Sequence, residues 1–307
     1  MKIFRSFEEA RGIPNPVVTT GSFDGVHIGH KTIINRLRML AEKYGGESVL
    51  ITFYPHPRKV LYPDTAGKHL RLINSQQEKL ELLKKAGLQN LIIIEFTKDF
   101  ARTTSEQFVG DYLKGILGAK VIVAGFNHHF GFNQEGDYKK LWGMREKYGF
   151  EAEEIPEQEV EHETVSSTRI RQAIREGNIQ KANAYLDHYY IVMGTPVVYD
   201  YVNASLPLSL YKIPLTEENK LLPAKGIYAV SFESAGAVSK GMVIIDGPEE
   251  DPSDVILHLF TDKLFPEGSN STIYFHKKIH GAVDLNDLKA STPRIRSAMD
   301  EICDLIY

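Results

Sequence analysis

The chain has 307 residues, 42% of them hydrophobic and 25% charged, which is the balance of a soluble globular protein with room for two domains. The formal net charge of -4 argues against nucleic-acid and acidic-membrane partners, so basic residues that bind any anionic ligand would have to be placed locally. The single cysteine, Cys303, excludes an internal disulfide and a cysteine-based metal site. Because the N-terminus lacks an apolar run and the sequence lacks a stretch of about 20 apolar residues, a cytoplasmic protein is predicted.

The first half of the chain alternates short apolar runs with amphipathic segments. The apolar runs predict strands at residues 17–20, 48–54, 91–96, 120–125 and 150–155. The amphipathic segments predict helices at residues 30–44, 75–86, 105–117 and 138–148. Ser75 and Glu78 match a capping box. The alternation predicts an α/β fold with a parallel, Rossmann-like sheet, whose ligands bind beyond the carboxyl ends of the strands.

The pattern changes near residue 188. Two predicted helices, at residues 168–176 and 179–186, close a first domain of residues 1–187. Strand-like runs follow at residues 190–201, 226–232, 241–245, 255–260 and 271–277. A last helix is predicted at residues 285–306, with Pro293 as a candidate interruption. The close spacing of the runs predicts an antiparallel sheet or small β-barrel over residues 188–307.

The first motif joins the first predicted strand to the first long helix and reads Gly-Ser-Phe-Asp-Gly-Val-His-Ile-Gly-His over residues 21–30. Its glycines let the backbone approach a ligand, and the helix N-terminus offers N–H groups to phosphate. His27 and His30 can donate hydrogen bonds to phosphoryl oxygens, on which charge develops during displacement at phosphorus. In the alternative, the glycines form a turn and the histidines cap the helix. The dense His-x-Gly-His arrangement favours the nucleotide site.

The second motif opens another predicted helix with Ser166, Ser167 and Thr168, followed by Arg169 and Arg171. Hydroxyl groups and helix N–H groups suit phosphate oxygens, and arginine can bind them through two hydrogen bonds. The alternative is an ordinary serine or threonine cap with arginines that face solvent. On these residues alone, the alternative is favoured.

The third motif follows the fourth predicted strand. Phe126 and Phe130 can pack on a flat ring or belong to the core, and Asn127 can bind a metal or phosphate or shape a turn. His128 and His129 raise the question of zinc. Adjacent residues rarely share a tetrahedral site, so zinc is disfavoured.

Together these motifs resemble the bacterial bifunctional riboflavin kinase/FAD synthetase family in their order, spacing and strand-helix pattern, over nearly the whole chain. The segment Thr-Phe-Tyr-Pro-His-Pro at residues 52–57 is also similar to the family's segment after the second strand. The two-histidine motif is shared with other nucleotidyltransferases, whereas the combination is specific. The resemblance implies an N-terminal nucleotidyltransferase domain and a C-terminal barrel like that of riboflavin kinase.

The resemblance implies transfer of AMP from ATP to FMN, with release of pyrophosphate, Mg²⁺ as the cofactor and no covalent enzyme intermediate. The catalytic residues that it implies are His27, His30 and Asn127, with Asn127 also near the metal. The implied ATP-binding residues are Gly21, Ser22, Phe23, Asp24, Gly25, Gly29, Ser166, Ser167, Thr168 and Arg171. The implied flavin-binding residues are Pro55, His56, Pro57 and Phe130.

The second domain matches the family's barrel at residues 221–230 but departs from its kinase motif. Leu210 and Lys212 stand where family kinases carry the threonine and asparagine that hold Mg-ATP, and Ile256 stands in place of the catalytic glutamate. Leucine and isoleucine cannot bind Mg²⁺ or accept a proton. The departure predicts a barrel without kinase activity.

Three interpretations remain open at this point. The leading one is an FMN adenylyltransferase whose barrel has lost kinase chemistry. The alternatives are the full bifunctional enzyme, with an altered kinase site, and a flavin-binding or regulatory protein without turnover. The expected partners are the small molecules ATP and FMN, with no nucleic acid and no membrane, and self-association is left open.

Overall fold

The computed structural model describes residues 1–126, 128–160, 163–199, 210–215, 217–248, 253–260, 268–284 and 288–305. The chain divides into two compact units: Met1–Leu70 with Lys79–Val165, and Arg71–Glu78 with Ser166–Tyr307. The second unit therefore includes the two helices that were expected to close the first domain, and the functional boundary after residue 187 stays a prediction. None of the described helices is long and apolar enough to cross a membrane.

The first unit is built on a six-stranded parallel sheet. Its strands are β1 (Lys2–Phe4), β2 (Val17–Thr20), β3 (Ser48–Tyr54), β4 (Asn90–Glu95), β5 (Val121–Gly125) and β6 (Glu151–Ile155). The strand order is β1-β4-β3-β2-β5-β6, and all neighbours run parallel. The five predicted strands are confirmed, and the short edge strand β1 was not predicted. Successive strands extend the sheet in opposite directions from β2, so the order reverses between β2 and β5.

Helices cover both faces of this sheet. The α-helices along this part of the chain are α1 (Ile28–Lys43), α2 (Pro57–Leu61), α3 (Gln76–Lys85), α4 (Ser105–Gln107) and α5 (Tyr138–Tyr148). Adjacent strand residues such as Val17 and Val18 belong to apolar clusters on opposite faces, because side chains alternate along a strand. This two-sided burial explains why the strands read as continuous apolar runs. A short pair, β7 (Glu159–Val160) and β8 (Glu163–Thr164), follows β6.

The predicted helix at residues 105–117 is α-helical only in its first turn. It continues as a π-helix over Phe108–Ile116, and the Leu117 N–H bonds the carbonyl of Tyr112, five residues back. Gly110 allows the Tyr148 ring to pack against the π-helix, since a Cβ at this position would lie 2.9 Å from the ring. π-Helices are rare and are often found at functional sites.

The second unit contains a seven-stranded antiparallel sheet and three helices. The helices are α6 (Ser167–Arg175), α7 (Ile179–Leu186) and α8 (Leu288–Leu305). The strands are β9 (Tyr190–Gly194), β10 (Val197–Val198), β11 (Leu210–Lys212), β12 (Gly226–Ser234), β13 (Ala237–Asp246), β14 (Asp254–Leu259) and β15 (Ser271–His280). Their spatial order is β10-β11-β14-β13-β12-β15-β9. The predicted α/β fold followed by a barrel-like domain is confirmed.

Two local predictions for the second unit need correction. The described part of the predicted run at residues 190–201, which ends at residue 199, forms two strands, since Pro196 lacks the N–H that a continuous ladder would need. The last helix runs through Pro293 without interruption.

The predicted capping box at the start of α3 is confirmed. The Ser75 N–H donates to Glu78 Oε2 at 2.9 Å, and the Glu78 N–H donates to Ser75 Oγ at 3.2 Å. Glu78 also forms a buried ion pair with Lys220, whose Nζ lies 2.6 Å from Oε2. The ammonium of Lys220 donates further to the carbonyls of Ile73 and Ile191, so this buried charge is well satisfied.

Candidate active site

The first and third sequence motifs meet at the point where the strand order reverses. Thr20 ends β2, and the loop after β5 carries His128. Thr20 Oγ1 lies 3.2 Å from His128 Nε2, so a hydrogen bond joins the strand residue just before the first motif to the third motif. A crevice outside the carboxyl ends of strands at such a reversal is the usual ligand site of open α/β sheets. The structure thus brings together two of the three motifs.

The loop after β2 turns sharply before α1 begins. The Gly21 N–H donates to the Ile51 carbonyl at 3.0 Å and so continues the pairing with β3. Phe23, Gly25 and Val26 then have φ values of 47°, 96° and 43°. A positive φ is uncommon for phenylalanine and a genuine outlier for the β-branched valine. Both side chains are buried in the core, and this anchoring holds the strained conformation in place.

The loop delivers the N-terminus of α1 to the carboxyl edge of the sheet. His27 is the N-cap residue, its side chain makes no capping hydrogen bond, and the fully described first turn carries no acidic residue. The free helix N–H groups and the positive end of the helix dipole are therefore available to an anion. His27 thus occupies the N-cap position, but its side chain does not cap the helix through a hydrogen bond as the alternative expected. A Cβ at Gly29 would lie 3.3 Å from the His27 ring, a tight contact that the ring would have to relieve by a small shift.

The two histidines of this motif form a stacked pair. Their ring centroids are 3.6 Å apart with an interplanar angle of 19°, and Phe23 stacks on the other side of His30 at 4.3 Å. Burial, followed by the positive charges of His27 and Lys79, holds the pKa of His30 well below its ordinary value. His30 is therefore neutral at pH 7. Its Nδ1 is buried and has no hydrogen-bond partner among the described residues, as expected for a group that receives a polar ligand.

A sequence-distant cation adjoins the same loop. Lys79 of α3 is buried, and its Nζ donates to the Ser22 carbonyl at 2.9 Å. The sequence analysis did not select Lys79, because a lysine in an amphipathic helix carries no local sign of such a contact. Asp24 is also buried in this loop.

The predicted flavin-binding segment follows β3, the strand next to β2, and so lies on the same sheet edge. His56 caps α2, since its Nδ1 accepts a hydrogen bond from the Arg58 N–H at 3.2 Å. Pro55 and Pro57 flank it, and a flavin contact of this segment stays a prediction.

The loop after β5 places its two phenylalanines differently. Phe130 is partly buried, with its ring centroid 6.3 Å from that of Phe108, whereas Phe126 is exposed. Burial lowers the pKa of His128 to about 4, with the charge of His129 as a second cause, and the hydrogen bond to Thr20 opposes the shift. Asn127 lies outside the described residues, so its role as catalytic residue and metal ligand stays a prediction.

The second motif belongs to the second unit. Ser166 caps α6, with its hydroxyl accepting from the Arg169 N–H at 3.4 Å, which agrees with the capping alternative. Thr168 and Arg169 are exposed, but Arg171 is buried and donates from Nε to the Arg71 carbonyl at 3.0 Å. The alternative of solvent-facing arginines therefore holds for Arg169 and not for Arg171. The ATP contacts of Ser166, Ser167, Thr168 and Arg171 stay predictions.

A family model described as FAD synthetase matches residues 11–169, more than half of the chain and the whole of the His-x-Gly-His region. The chain belongs to the FAD synthetase family. The resemblance inferred from the three motifs is thereby confirmed.

Curated relatives of this FAD synthetase family member carry related names. The bifunctional riboflavin kinase/FMN adenylyltransferase of Listeria monocytogenes serovar 1/2a is 32% identical over 234 residues, which cover 75% of this chain and 72% of that protein. The protein of the same name from Bacillus subtilis strain 168 is 28% identical over 295 residues, or 93% of this chain and 90% of that protein. A Listeria monocytogenes protein named FAD synthetase is 35% identical over 178 residues, which cover 58% of this chain and 71% of that protein.

A solved structure shares the fold. A Streptococcus pneumoniae protein named as a macrolide-efflux protein matches with a TM-score of 0.81 and 24% identity, over 97% of each chain. At this identity the likeness shows the fold alone.

The kinase positions of this family member lie side by side in the second unit. On β11 and β14, Lys212 pairs with Ile256, and Leu210 pairs with His258. Leu210 and Ile256 are buried in an apolar cluster that includes residues of α8. The Lys212 ammonium lies 2.6 Å from a carboxylate oxygen of Asp254 on the same face of the sheet. The positions at which the resemblance would place a metal ligand and a base are thus occupied by apolar core residues and an ion pair.

Proposed function

We propose that the chain is an FMN adenylyltransferase, which transfers AMP from ATP to FMN and releases pyrophosphate. The observation that carries this function is the stacked His27–His30 pair at the uncapped N-terminus of α1, placed where the strand order of the sheet reverses. The family's name and the names of its relatives agree with this chemistry.

In the proposed reaction, a phosphate oxygen of FMN forms a bond to the α-phosphorus of ATP. The bond between that phosphorus and the bridging oxygen breaks, and pyrophosphate leaves with the electron pair. The protein supplies no nucleophile, so its contribution is positioning and stabilisation of charge. Neutral His30 has one ring N–H to donate, and the first N–H groups of α1 add fixed donors. These donors need no reorganisation as negative charge grows on the phosphoryl oxygens.

Mg²⁺ enters the proposal together with ATP. This ion keeps several waters and is usually held by one or two protein oxygens plus substrate phosphates, so it needs no dedicated protein cage. The described residues accordingly form no group of three or more His, Cys, Asp or Glu side chains suited to a metal. The amide oxygen of Asn127 is the proposed protein ligand. When bound, the ion would supply positive charge to the phosphate oxygens.

The remaining site assignments follow from the resemblance. ATP would lie against the loop of residues 21–29, and the Ser166–Arg171 segment would hold its phosphates. FMN would lie near residues 55–57 and Phe130. The assignments to residues 21–29, 55–57 and Phe130 fit the fold of the first unit, because the loops after β2, β3 and β5 lie at the carboxyl edge of one sheet. A cytoplasmic location and the capacity to self-associate complete the proposal.

We also infer that the second unit does not phosphorylate riboflavin. A kinase must hold Mg-ATP against the acceptor hydroxyl and activate that hydroxyl. Buried Leu210 and Ile256 offer neither a metal ligand nor a base. The alternative of a full bifunctional enzyme would need other residues for both tasks. The carboxylate nearest to the expected base in sequence, Asp254, is paired with Lys212.

One experiment separates the three interpretations. The purified chain is incubated with Mg-ATP and either FMN or riboflavin, and the flavins, pyrophosphate and ADP are measured. We expect FAD and pyrophosphate from FMN, and no FMN or ADP from riboflavin. Failure to form FAD would reject the transferase and favour a flavin-binding protein. FMN formation that is abolished by substitutions in the second unit, and not by His30→Ala, would establish the bifunctional enzyme.

A further inference from the structure

Lys79 is a buried lysine beside the phosphate loop. It lies in α3 and is 6% exposed. Lysine is almost never this buried unless its charge is satisfied, because removal of an ammonium from water is costly. Its Nζ donates to the Ser22 carbonyl at 2.9 Å, across 57 residues of sequence. The contact thus joins a helix on the face of the sheet to the loop that follows β2.

The Ser22 carbonyl is held by two elements. In addition to Lys79, Thr52 Oγ1 of β3 donates to this oxygen at 3.3 Å. The residue that follows, Phe23, has a φ of 47° and stacks on His30. Strained backbone of this kind persists only where its surroundings determine it. The orientation of the Ser22–Phe23 peptide therefore affects both the shape of the loop and the support of the His30 ring.

Lys79 also contributes charge near the histidine pair. The titratable groups that act on His30 are His27 and Lys79, and the positive charge of Lys79 helps to keep His30 neutral. The positive charge of Lys79 near the neutral imidazole also adds positive potential to a site for phosphate.

We propose that Lys79 is a positioning residue of adenylyl transfer, which acts through the Ser22 carbonyl to hold the phosphate loop in its ATP-binding conformation. This inference rests on the proposed function. The proposal gives α3 a role in the site, although α3 lies far along the chain from the His-x-Gly-His motif.

The test compares Lys79→Met with Lys84→Met, a neutralised lysine that is exposed on the same helix. Loss of a charged hydrogen bond should lower kcat/KM for ATP in Lys79→Met by roughly 10- to 100-fold. The KM for FMN should change by less than about twofold, because the effect passes through the phosphate loop. Lys79→Arg, which can still donate to the carbonyl, should retain more activity than Lys79→Met. Lys84→Met should behave as the wild type.

Two measurements do not depend on turnover. Calorimetric titration with ATP should show weaker binding to Lys79→Met, and NMR titration should show a higher pKa for His30 in that variant. An unchanged ATP affinity together with an unchanged His30 titration would overturn the proposal, as would equal losses for ATP and FMN. If Lys79→Met fails to fold, the same comparison is made with Lys79→Arg and Lys79→Gln. A wild-type chain without FAD synthesis would instead reject the proposed function, while ATP binding still tests Lys79.

Discussion

Replacement of His30 by alanine tests the active site most directly. The imidazole stacks against Phe23 and His27 with its Nδ1 buried, and it is neutral because desolvation and two positive neighbours lower its pKa. A preorganised donor to developing negative charge contributes about 2.7–4 kcal/mol to transition-state stabilisation. We therefore expect His30→Ala to lower kcat for FAD formation by roughly 10²- to 10³-fold.

Stability should change far less than activity. The lost ring contacts cost about 0.5–1.5 kcal/mol each, but removal of a buried polar ring relieves an opposing desolvation cost. Rates of pyrophosphate release and denaturant unfolding of His30→Ala are compared with those of His69→Ala, an exposed histidine of the first unit. A folded His30→Ala protein with the turnover of the His69→Ala control would refute the assigned role.

Two further predictions concern Arg171 and His128. Arg171→Ala should raise the KM for ATP or lower kcat more than it changes FMN binding. Unchanged kinetics with ATP would instead favour the interpretation of residues 166–171 as an ordinary helix cap. His128 has a folded-state pKa of about 4, below the ordinary value of about 6.5, so the stability present above pH 6.5 is lost as pH falls toward 4. In denaturant unfolding, the free energy of unfolding of the wild type should fall, relative to that of His128→Gln, by up to about 3 kcal/mol between pH 6.5 and pH 4. If the unfolding free energies of the two proteins changed in parallel with pH, the burial of this ring would be contradicted.

The sequence predicted the sheet of the first unit well because burial on both faces produces apolar runs that stand out from amphipathic helices. Because the first and third motifs both follow predicted strands of one parallel sheet, the sequence also indicated that both lie at the ligand-binding edge of that sheet. In the structure, the hydrogen bond between Thr20 and His128 connects these two segments of the edge. The positive φ of Phe23 and Val26 had no counterpart in the sequence, because neither residue type favours it.

Contacts between distant segments account for most of what was missed. The bond from Lys79 to Ser22 and that from Arg171 to Arg71 depend on the folded arrangement and leave no periodic pattern in the sequence. The π-helical register of Phe108–Ile116 was also hidden, since its apolar positions resemble those of an α-helix. The second unit includes Arg71–Glu78 because this segment pairs with residues near Lys220, which no local pattern indicates.

The proposed loss of kinase chemistry would follow from the packing of the second unit, so restoration of one residue should not reverse it. Ile256 lies opposite Lys212 and is buried in the apolar cluster with Ile244 and Ile302. Ile256→Glu would remove that side chain and bury a carboxylate, while the nearby ammonium of Lys212 already pairs with Asp254. We expect a loss of at least about 3 kcal/mol in the free energy of unfolding and no FMN from riboflavin. The control, Ile256→Val, should cost about 0.5–1.5 kcal/mol, because it removes one methylene group and no polar requirement is added. If Ile256→Glu were as stable as Ile256→Val, the assignment of position 256 to the apolar core would be wrong. If Ile256→Glu formed FMN from riboflavin and Mg-ATP, position 256 would belong to a kinase site that one substitution can restore.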